Sequence, residues 1–320
     1  MELNSKDLLK VHLNLNNLSA KVALGTFPFK ELSEKQIYEI IMKYLYSDRV
    51  YIDTAPFYGN RKVEKILGRL ITSCNKKTFI ASKVGYFRQH NQYQNYNYIY
   101  DQVRYSQELL GGKINLLQIH EADWDLWWLS RKDTKSNINH APIVQVLNKL
   151  KQDKEIDFIG ITGNNADRLA DIAESLDCID SVLVAKQYDL LWRNGRKRLK
   201  KLIEKKGLFY IIGAPFHQGK LLNLEALIAE YTKYDSSKVH EVTKLRRIVE
   251  KYDLDIVRTC LEFLLTDPEV DLTLVGAKNL KELWWVDSQI YSLADEIYSE
   301  ILSIGFTGPP SMGIPFYLDD

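Results

Sequence analysis

Eight short apolar runs recur along this chain with helical stretches between them, and this alternation constrains the fold more than any other feature of the sequence. The runs are rich in β-branched and aromatic residues and are apolar on both faces, as strands of a parallel sheet covered by helices must be. They occupy 21–27, 50–55, 78–84, 115–121, 158–163, 181–188, 208–215 and 272–278. Eight strands that are each followed by a helix predict the α/β class and a (β/α)8 TIM barrel.

The segments between the runs carry apolar residues at helical spacing. One stripe covers 63–71, a second covers 143–150 with Pro142 at a suitable first helical position, and a looser third covers 256–265 before Pro268. An open doubly wound sheet is the rival architecture, but the strand count is eight and no GxGxxG motif follows the first strand. Because no Pro-, Gly- or Ser-rich linker divides the chain, we expect a single domain over 1–320, with a core at about 21–293 and a C-terminal tail at about 306–320.

The composition argues against several classes of partner. The chain has 43 Lys and Arg against 42 Asp and Glu, so no long-range field attracts nucleic acid or an anionic membrane. Cys74, Cys178 and Cys260 form no CxxC or metal-type spacing, so we expect no metal site. The first residues do not form a secretory signal, and no segment reaches the roughly 18 uninterrupted apolar residues of a membrane span. These features predict a soluble, cytoplasmic protein.

Three segments interrupt the alternation of strands and helices, and all three follow strands. They are the polar, tyrosine-rich 88–100, the tryptophan-rich 122–140, and 223–241, which separates the seventh strand from the next helix. In a barrel they lie at the C-terminal mouth, where such folds carry their active sites. They are either surface loops with incidental aromatics or walls of a pocket. The clustering of Trp124, Trp127 and Trp128 favours a wall, with Trp124 and Trp128 as candidates for substrate contact.

Four polar residues stand at or just beyond the ends of three consecutive strands. Asp53 ends the second strand and Tyr58 lies in the turn after it, while Lys83 ends the third strand and His120 the fourth. Each has a structural explanation when it is taken alone, such as a cap, a surface charge or a core histidine. Because strand ends converge on one small volume of a barrel, the four residues together predict a catalytic centre.

This combination of side chains is suited to proton donation. A phenol with an ordinary pKa of about 10 is a weak acid near neutrality, and a lysine cation beside it is expected to lower that pKa. A carboxylate would keep the lysine charged and oriented, and a histidine would hold a carbonyl oxygen by a hydrogen bond. Because no side chain supplies hydride, such a site needs a nicotinamide cofactor.

The motif DTAPFYGN at 53–60, followed by EKILGRLI at 64–71 and by the strand-ending lysine and histidine, resembles the aldo-keto reductase superfamily. The likeness runs from about residue 21 to about residue 289. Segments such as LQIHEAD (117–123) and LRRIVEKYDLDI (245–256) are similar to the branch of D-threo-aldose, L-fucose, L-galactose and pyridoxal dehydrogenases. The resemblance implies reversible hydride transfer between NAD(P) and a small polar aldehyde, ketone or sugar lactol, with Tyr58 as general acid and base.

The resemblance also implies a set of cofactor-binding positions. Those that match it are Gly25, Thr26, Thr162, Asn164, Gln187, Phe216, Gln218 and Gly219. Asn164, one place after the usual asparagine, and Gln187 would hold the nicotinamide amide, and the segment 216–219 would wrap the pyrophosphate. Gly213 stands where many relatives place a tyrosine that stacks on the nicotinamide ring, so that stacking is absent or comes from another aromatic residue.

The segment VGAKNLKELWW at 275–285 departs from the family pattern. Glu282 stands where relatives usually have Arg or Gln. Its carboxylate would repel a 2′-phosphate and could accept a hydrogen bond from a free ribose hydroxyl, which favours NAD(H). Lys278 and Lys281 favour NADP(H), since the ammonium group of either residue could bind the 2′-phosphate. The balance leans to NAD(H).

Two other functions stay open. One is a cofactor-binding aldo-keto reductase-like scaffold or redox-sensing subunit with little turnover, but the intact set of four polar residues favours an enzyme. The other is a barrel enzyme of unrelated chemistry, such as an isomerase or a metal-dependent hydrolase. It would need His, Asp or Glu clusters on several strand ends, and beyond His120 and Asp53 few are present. The expected partner is therefore a small carbonyl or alcohol substrate, and no pattern indicates an oligomeric state.

Overall fold

The computed structural model describes residues 4–74, 76–112, 114–128 and 138–306, and eight parallel strands form a closed barrel within them. Each strand pairs with its neighbours in sequence order, and the eighth pairs with the first. The strands are β1 Val22–Gly25, β2 Tyr51–Asp53, β3 Phe79–Val84, β4 Ile114–Ile119, β5 Ile156–Gly163, β6 Ser181–Ala185, β7 Phe209–Gly213 and β8 Leu272–Val275. Every strand overlaps its predicted run, and the (β/α)8 barrel is confirmed.

One helix precedes the first strand, and the others follow strands and surround the barrel. In the described part of the chain they are α1 Ser5–Leu13, α2 Glu34–Leu45, α3 Lys62–Cys74, α4 Tyr96–Leu110, α5 Pro142–Gln152, α6 Ala166–Ser175, α7 Arg198–Lys206, α8 Leu224–Tyr234, α9 Val239–Lys251, α10 Ile256–Thr266, α11 Trp284–Asp287 and α12 Asp295–Leu302. The predicted stripes correspond to α3, α5 and α10, and α5 begins at Pro142 as expected. None of these helices combines the length and the apolar character needed to cross a bilayer.

Local sequence signals set where these helices begin and end. Ser33 and Gln36 form a capping box at the start of α2, and the side chains of Asn95 and Asn165 accept backbone N–H groups at the starts of α4 and α6. Gly111 ends α4 in the left-handed conformation, which a glycine adopts at little cost. These caps satisfy the backbone groups that a helix end leaves without partners.

Apolar side chains fill two layers of the molecule. Inside the barrel, bulky residues at the starts of the strands pack together, among them Tyr51, Phe79, Phe158 and Phe209. Helix α1 closes this N-terminal end and contributes Leu9, which is fully buried. The second layer lies between the strands and the outer helices. Because the N-terminal end is filled, the polar residues at the opposite end are the ones that a ligand can reach.

One predicted connection is a helix instead. The segment 223–241 forms α8 and the beginning of α9, so the expectation of an irregular connection before the next helix was wrong. Leu224, Leu227, Ile228 and Tyr231 recur at helical spacing and pack on the core, and Asn223 caps the helix. Of the other two segments, 88–100 forms a 3₁₀ turn at His90–Gln94 and the start of α4. Part of 122–140 and the tail beyond residue 306 lie outside the described residues.

Candidate active site

Asp53, Tyr58 and Lys83 form one hydrogen-bonded cluster at the mouth of the barrel. Asp53 is the last residue of β2, Lys83 lies one residue before the end of β3, and Tyr58 lies in the turn between β2 and α3. The Lys83 ammonium donates to Asp53 Oδ1, to the Thr54 carbonyl at 2.9 Å and to Tyr58 Oη at 3.1 Å. All three side chains are buried. The structure thus places three of the four predicted residues in direct contact.

The three contacts of Lys83 use all the N–H groups of its ammonium. Because the ammonium donates to the phenolic oxygen, the proton of Tyr58 itself points elsewhere. Gln118 in β4 donates from Nε2 to Asp53 Oδ2 at 2.9 Å, so both carboxylate oxygens are held. The proton that Tyr58 can donate therefore lies away from Lys83, on a ring whose position the cluster fixes.

His120, the first residue after β4, lies beside Tyr58. The centroids of the two rings are 6.0 Å apart and their planes meet at 84°. Burial, with the Lys83 cation as the second cause, holds the pKa of His120 well below its ordinary value, so the imidazole is neutral. Its Nδ1 has no hydrogen-bond partner among the described residues. The Trp127 indole N–H donates to the His120 carbonyl at 3.0 Å and fixes the backbone at this point.

The net shift of the pKa of Tyr58 is opposite in direction to the predicted one. Burial, followed by the negative charges of Asp53 and Glu121, holds the pKa of Tyr58 well above its ordinary value. The Asp53 carboxylate contacts the same ammonium that contacts the phenol, so its charge offsets that of Lys83. The predicted lowering of the pKa was therefore wrong, and Tyr58 keeps its proton throughout the neutral range.

Aromatic rings pack around the histidine. Tyr86, in the connection after β3, lies with its ring centroid 4.5 Å from that of His120, 3.9 Å from that of Phe57 and 5.0 Å from that of Trp124. Trp124 is half-buried, so part of its ring is open to a ligand. Trp128 is only 4% exposed and donates its indole N–H to a backbone carbonyl at 2.7 Å. Of the two tryptophans predicted to bind substrate, the structure leaves Trp124 accessible and buries Trp128.

A cluster of polar side chains follows the histidine. Asn164 Nδ2 donates to Glu121 Oε2 at 2.6 Å, and Thr162 Oγ1 accepts the Glu121 N–H at 3.3 Å. Asp123 Oδ2 accepts the backbone N–H of Asn164 at 2.8 Å. Burial and then the neighbouring Asp123 carboxylate raise the pKa of Glu121 to about 7, and burial also raises the pKa of Asp123. Asn164 and Thr162, both predicted to bind the cofactor, are thus held by the residues that follow His120.

The ends of β6 and β7 present a side-chain amide and a surface of small residues. Gln187, two residues after β6, accepts a hydrogen bond from Asn194 Nδ2 on its Oε1 at 2.9 Å. Gly213 ends β7 and is paired in register with Ala185. A Cβ at Gly213 would lie 3.3 Å from the Cβ of Ala185 and 3.2 Å from Leu183 Cδ2, which is a tight contact. A side chain at this strand end would therefore require Leu183 and Ala185 to shift slightly.

The loop after β7 turns through successive residues in the left-handed region. His217, Gln218 and Gly219 have φ values of 47°, 57° and 90°, and they follow Phe216 at φ −94°. The N–H groups of His217 and Gly219 donate within the loop, to the carbonyls of Ala214 and Phe216, each at 2.9 Å. His217 Nδ1 lies 2.8 Å from Asp189 Oδ2, which ties the loop to the connection after β6. A phosphate-binding role of 216–219 stays a prediction.

Gly25 and Thr26 lie next to Asp53. Gly25 is paired in register with Asp53, and Thr26 donates both its backbone N–H and its hydroxyl to the Asp53 carbonyl, each at 2.9 Å. The hydroxyl of Thr26 is therefore engaged within the protein and links the ends of β1 and β2. A contact of these residues with a cofactor stays a prediction.

The residues after β8 form hydrogen bonds with each other. Glu282 accepts the backbone N–H of Lys278 at 2.8 Å and a side-chain N–H of Asn279 at 2.9 Å. The Lys278 ammonium lies 3.8 Å from the Glu31 carboxylate, and both side chains are exposed. Glu282 thus holds a fixed negative charge at the surface, and Lys278 already faces an acid.

Sequence reasoning missed three residues that the structure places in the site: Gln118, Tyr86 and Glu121. A signal was available for Gln118, because it stands two residues before His120 and so points to the same face of β4. Tyr86 and Glu121 adopt left-handed backbone conformations with φ of 57° and 50°. No spacing rule indicates such a conformation in a residue other than glycine.

Comparisons with known proteins identify the family. The model of the "Aldo/keto reductase family" matches residues 21–286. The chain is 22% identical over 294 residues to a pyridoxal 4-dehydrogenase of Microbacterium luteolum, which covers 80% of this chain and 84% of the relative. It is 23% identical over 242 residues to the uncharacterized oxidoreductase YqkF of Bacillus subtilis (strain 168), covering 73% and 75%.

Among solved structures, the glycerol dehydrogenase from Gluconobacter oxydans has the same fold. It superposes with a TM-score of 0.68 at 21% sequence identity, over 88% of this chain and 90% of that chain. The superposition supports the barrel architecture alone. Because the family model spans most of the sequence, the chain belongs to the aldo/keto reductase family of oxidoreductases.

Proposed function

We propose that this chain exchanges hydride reversibly between NAD(P) and a small polar aldehyde, ketone or sugar lactol, with Tyr58 as general acid and base. One observation carries the proposal: the Lys83 ammonium bonds Asp53, Thr54 and Tyr58 at the same time, next to a neutral His120. A phenol O–H and an imidazole N–H then stand side by side at the barrel mouth. This is the pair of donors that a carbonyl oxygen needs to be held and protonated.

The residues around the mouth fit a nicotinamide nucleotide, the cofactor that this family generally uses. The side-chain amides of Asn164 and Gln187 would hold the carboxamide, and the loop 216–219, whose last three residues are left-handed, would contact the pyrophosphate. The cofactor, when bound, supplies or accepts the hydride that no side chain can provide.

In the reductive direction Tyr58 gives its proton to the carbonyl oxygen as that oxygen gains negative charge. Lys83, 3.1 Å from the phenolic oxygen, stabilises the phenolate that remains, and Asp53 keeps Lys83 charged and oriented. His120 donates its single N–H to the same carbonyl oxygen and fixes the position of that oxygen. The burial of these four side chains excludes water and strengthens each interaction.

For the nucleotide we favour NAD(H) over NADP(H). Glu282 is fixed by bonds to Lys278 N–H and Asn279, and it stands where relatives usually place Arg or Gln. A fixed negative charge at this position would repel a 2′-phosphate. Lys278 lies near Glu31, which offsets the attraction that its ammonium would exert on a phosphate.

Nucleotide binding and turnover test the proposal together. The protein is titrated separately with NADH and NADPH, and binding is followed by quenching of the fluorescence of its six tryptophans. Turnover is then followed by nicotinamide absorbance on a panel of sugars and aldehydes. Pyridoxal and the polyol glycerol are added to the panel, because one relative is a pyridoxal 4-dehydrogenase and one protein of the same fold is a glycerol dehydrogenase. If neither nucleotide binds, the proposal is refuted.

The variant Tyr58→Phe separates the catalytic step from binding. It keeps the ring and removes the O–H, so we expect kcat to fall about 10²–10⁴-fold, the usual contribution of a general acid, with the nucleotide Kd nearly unchanged. The matched control is Tyr51→Phe. Tyr51 is buried at the opposite end of the barrel, and its hydroxyl has no hydrogen-bond partner among the described residues. A parallel loss of nucleotide affinity in Tyr58→Phe would contradict the assigned role. Nucleotide binding without turnover, unchanged in the variant, would favour a cofactor-binding scaffold or redox-sensing subunit.

A further inference from the structure

The carboxylate of Glu121 joins the two sides of the barrel mouth. It is 9% exposed and accepts on both oxygens, from Tyr86 Oη at 3.1 Å and from Asn164 Nδ2 at 2.6 Å. Tyr86 belongs to the aromatic group around His120, where the substrate would lie. Asn164 is one of the two residues that we propose for the nicotinamide carboxamide. One carboxylate therefore connects the substrate side of the site with the cofactor side.

Tyr86 and Glu121 are both held in a costly backbone conformation. Their φ values are 57° and 50°, in the left-handed region that a bulky residue occupies only when its surroundings enforce it. Tyr86 follows β3 by two residues and Glu121 follows β4 by two residues, so the strain recurs on neighbouring connections. The side chains of these two residues are joined by a hydrogen bond of 3.1 Å. Such clustering of strain is typical of functional sites.

The bond from Asn164 to Glu121 sets the direction of the Asn164 amide. Because Nδ2 donates to Glu121, Oδ1 points the other way, where it could accept an N–H of a carboxamide. A carboxylate accepts on both oxygens, whereas a neutral carboxyl carries its proton on one oxygen and accepts well only on the other. Protonation of Glu121 therefore weakens the bond to Tyr86 or to Asn164, and the orientation of the amide is no longer enforced.

We propose that Glu121 is a positioning residue whose charged form orients the Asn164 amide, so that nucleotide affinity depends on the protonation of this one carboxyl. The inference rests on the proposed function, because it requires a nicotinamide nucleotide at Asn164. The proton is exchanged with solvent, and no bond of the substrate or nucleotide is made or broken. Glu121 acts through Asn164 and does not touch the reacting atoms.

Charged and titratable groups face Glu121 from four connections of the barrel: Tyr58 after β2, Tyr86 and Tyr93 after β3, Asp123 in its own loop, and Lys186 after β6. Burial and the Asp123 carboxylate disfavour the charged form, whereas the bonds from Tyr86 and Asn164 and the Lys186 cation favour it. The balance raises the pKa of Glu121 to about 7. Glu121 is charged above this pH and holds the Asn164 amide in one orientation. Below this pH Glu121 is protonated and that orientation is lost.

Isothermal titration calorimetry on the whole chain tests the inference between about pH 6 and about pH 8.5, a range that brackets the titration. The ligand is NAD⁺ or NADP⁺, whichever binds more tightly. The reference ligand is ADP-ribose or its 2′-phosphate, which keeps the phosphates and lacks the nicotinamide. We expect the dinucleotide Kd to rise about fivefold to tenfold as the pH falls, the worth of roughly one hydrogen bond. The Kd of the reference ligand should stay constant.

Three variants assign the effect to a residue. Glu121→Gln keeps the size of the side chain and removes its titration, so the dinucleotide Kd should no longer vary with pH. Tyr86→Phe removes a donor that favours the charged form, so the midpoint of the pH dependence should move to higher pH. Asp125→Asn is the matched control, because Asp125 is an exposed carboxylate of the same loop that pairs with Arg168 at 2.7 Å. It should leave the pH dependence unchanged.

A wild-type Kd that is constant with pH, or a Glu121→Gln variant that keeps the wild-type dependence, would overturn the inference and leave the proposed function intact. An equal pH dependence for the reference ligand would also overturn it, because the effect would then arise away from the nicotinamide. If no nucleotide binds at any pH, the proposed function fails and the inference fails with it. If circular dichroism shows that Glu121→Gln does not fold, the midpoint in Tyr86→Phe decides, and an unshifted midpoint overturns the inference.

Discussion

The loop that we propose for the cofactor pyrophosphate is attached to the neighbouring connection through a buried pair, Asp189 and His217. Asp189 is completely buried, and its Oδ1 accepts the backbone N–H groups of Leu191 and Trp192, each at 2.9 Å. Its Oδ2 lies 2.8 Å from His217 Nδ1. His217 is in the left-handed conformation at φ 47°. The hydrogen bond therefore holds a strained part of the loop, and the variant His217→Phe removes it.

Phenylalanine is the informative substitution because it keeps an aromatic ring at this place. The His217 ring lies parallel to that of Trp192, with 5.7 Å between centroids and 9° between planes. A hydrogen bond to a charged group contributes about 1.5–3 kcal/mol. We expect the bond to order the loop for nucleotide binding. A factor of ten in Kd corresponds to about 1.4 kcal/mol, so losing the bond should raise the nucleotide Kd about tenfold to a hundredfold. The melting temperature should fall by a few degrees.

The assay is fluorescence titration with NADH or NADPH, combined with kcat measured at saturating nucleotide. His240→Phe is the control, because His240 is exposed on α9 and its nearest acid, Glu241, is 4.0 Å away. It should leave the Kd unchanged. A His217→Phe variant that binds nucleotide within about twofold of the wild type would refute the reasoning, since a difference of that size is well under the worth of the bond. A fall in kcat at unchanged Kd would refute it as well, because it would place His217 in the reaction.

Two further substitutions test packing and electrostatics in the barrel. Gly160→Ala puts a Cβ 2.5 Å from Ser181 Oγ, and such overpacking should cost about 1–3 kcal/mol in urea unfolding; unchanged stability would contradict the contact. Lys200→Met removes an ammonium 2.6 Å from buried Asp267. Burial acts to raise the pKa of Asp267, but hydrogen bonds led by Lys200 outweigh it and the pKa is lowered. The stabilisation is thus present above the unfolded-state pKa of about 4 and lost as pH falls. The variant should be about 1–3 kcal/mol less stable at neutral pH, and this difference should shrink in acid; a pH-independent difference would count against the pairing.

The barrel could be predicted because its periodicity is simple. Runs that are apolar on both faces indicate strands buried on both sides, and each of β1–β8 overlaps such a run. Helix α8 was not predicted, because a strict alternation of strand and helix leaves no place for an additional helix after β7. Its local spacing was nevertheless helical, since Leu224, Leu227 and Ile228 lie on one face. Local periodicity was the better guide at this point.

The proximity of the site residues followed from the fold, but the state of their side chains did not. Asp53, Tyr58 and Lys83 could be placed together because strand ends converge. The direction of the pKa shift of Tyr58 depends on how deeply the phenol is buried and on the contact of Asp53 with the same ammonium. The bond between Tyr86 and Glu121 depends on two left-handed residues. Spacing along the chain encodes neither burial depth nor backbone strain.

The raised pKa of Tyr58 changes how the proposed proton transfer works. A tyrosine with a lowered pKa would lose its proton in part before substrate binds, whereas Tyr58 keeps its proton until a carbonyl oxygen becomes basic enough to take it. While the phenol is neutral, the charge of Lys83 is offset by Asp53. Once the phenolate forms, the ammonium 3.1 Å away faces an acceptor of opposite charge, and the Coulomb attraction between the two charges adds to the hydrogen bond. The bond between Lys83 and Tyr58 therefore strengthens as the proton leaves, and an interaction that is stronger in the transition state than in the ground state is the kind that lowers a barrier. In the proposed reaction, burial and then the charge of Asp53 keep the phenol protonated, and Lys83 would stabilise the phenolate when the transfer occurs.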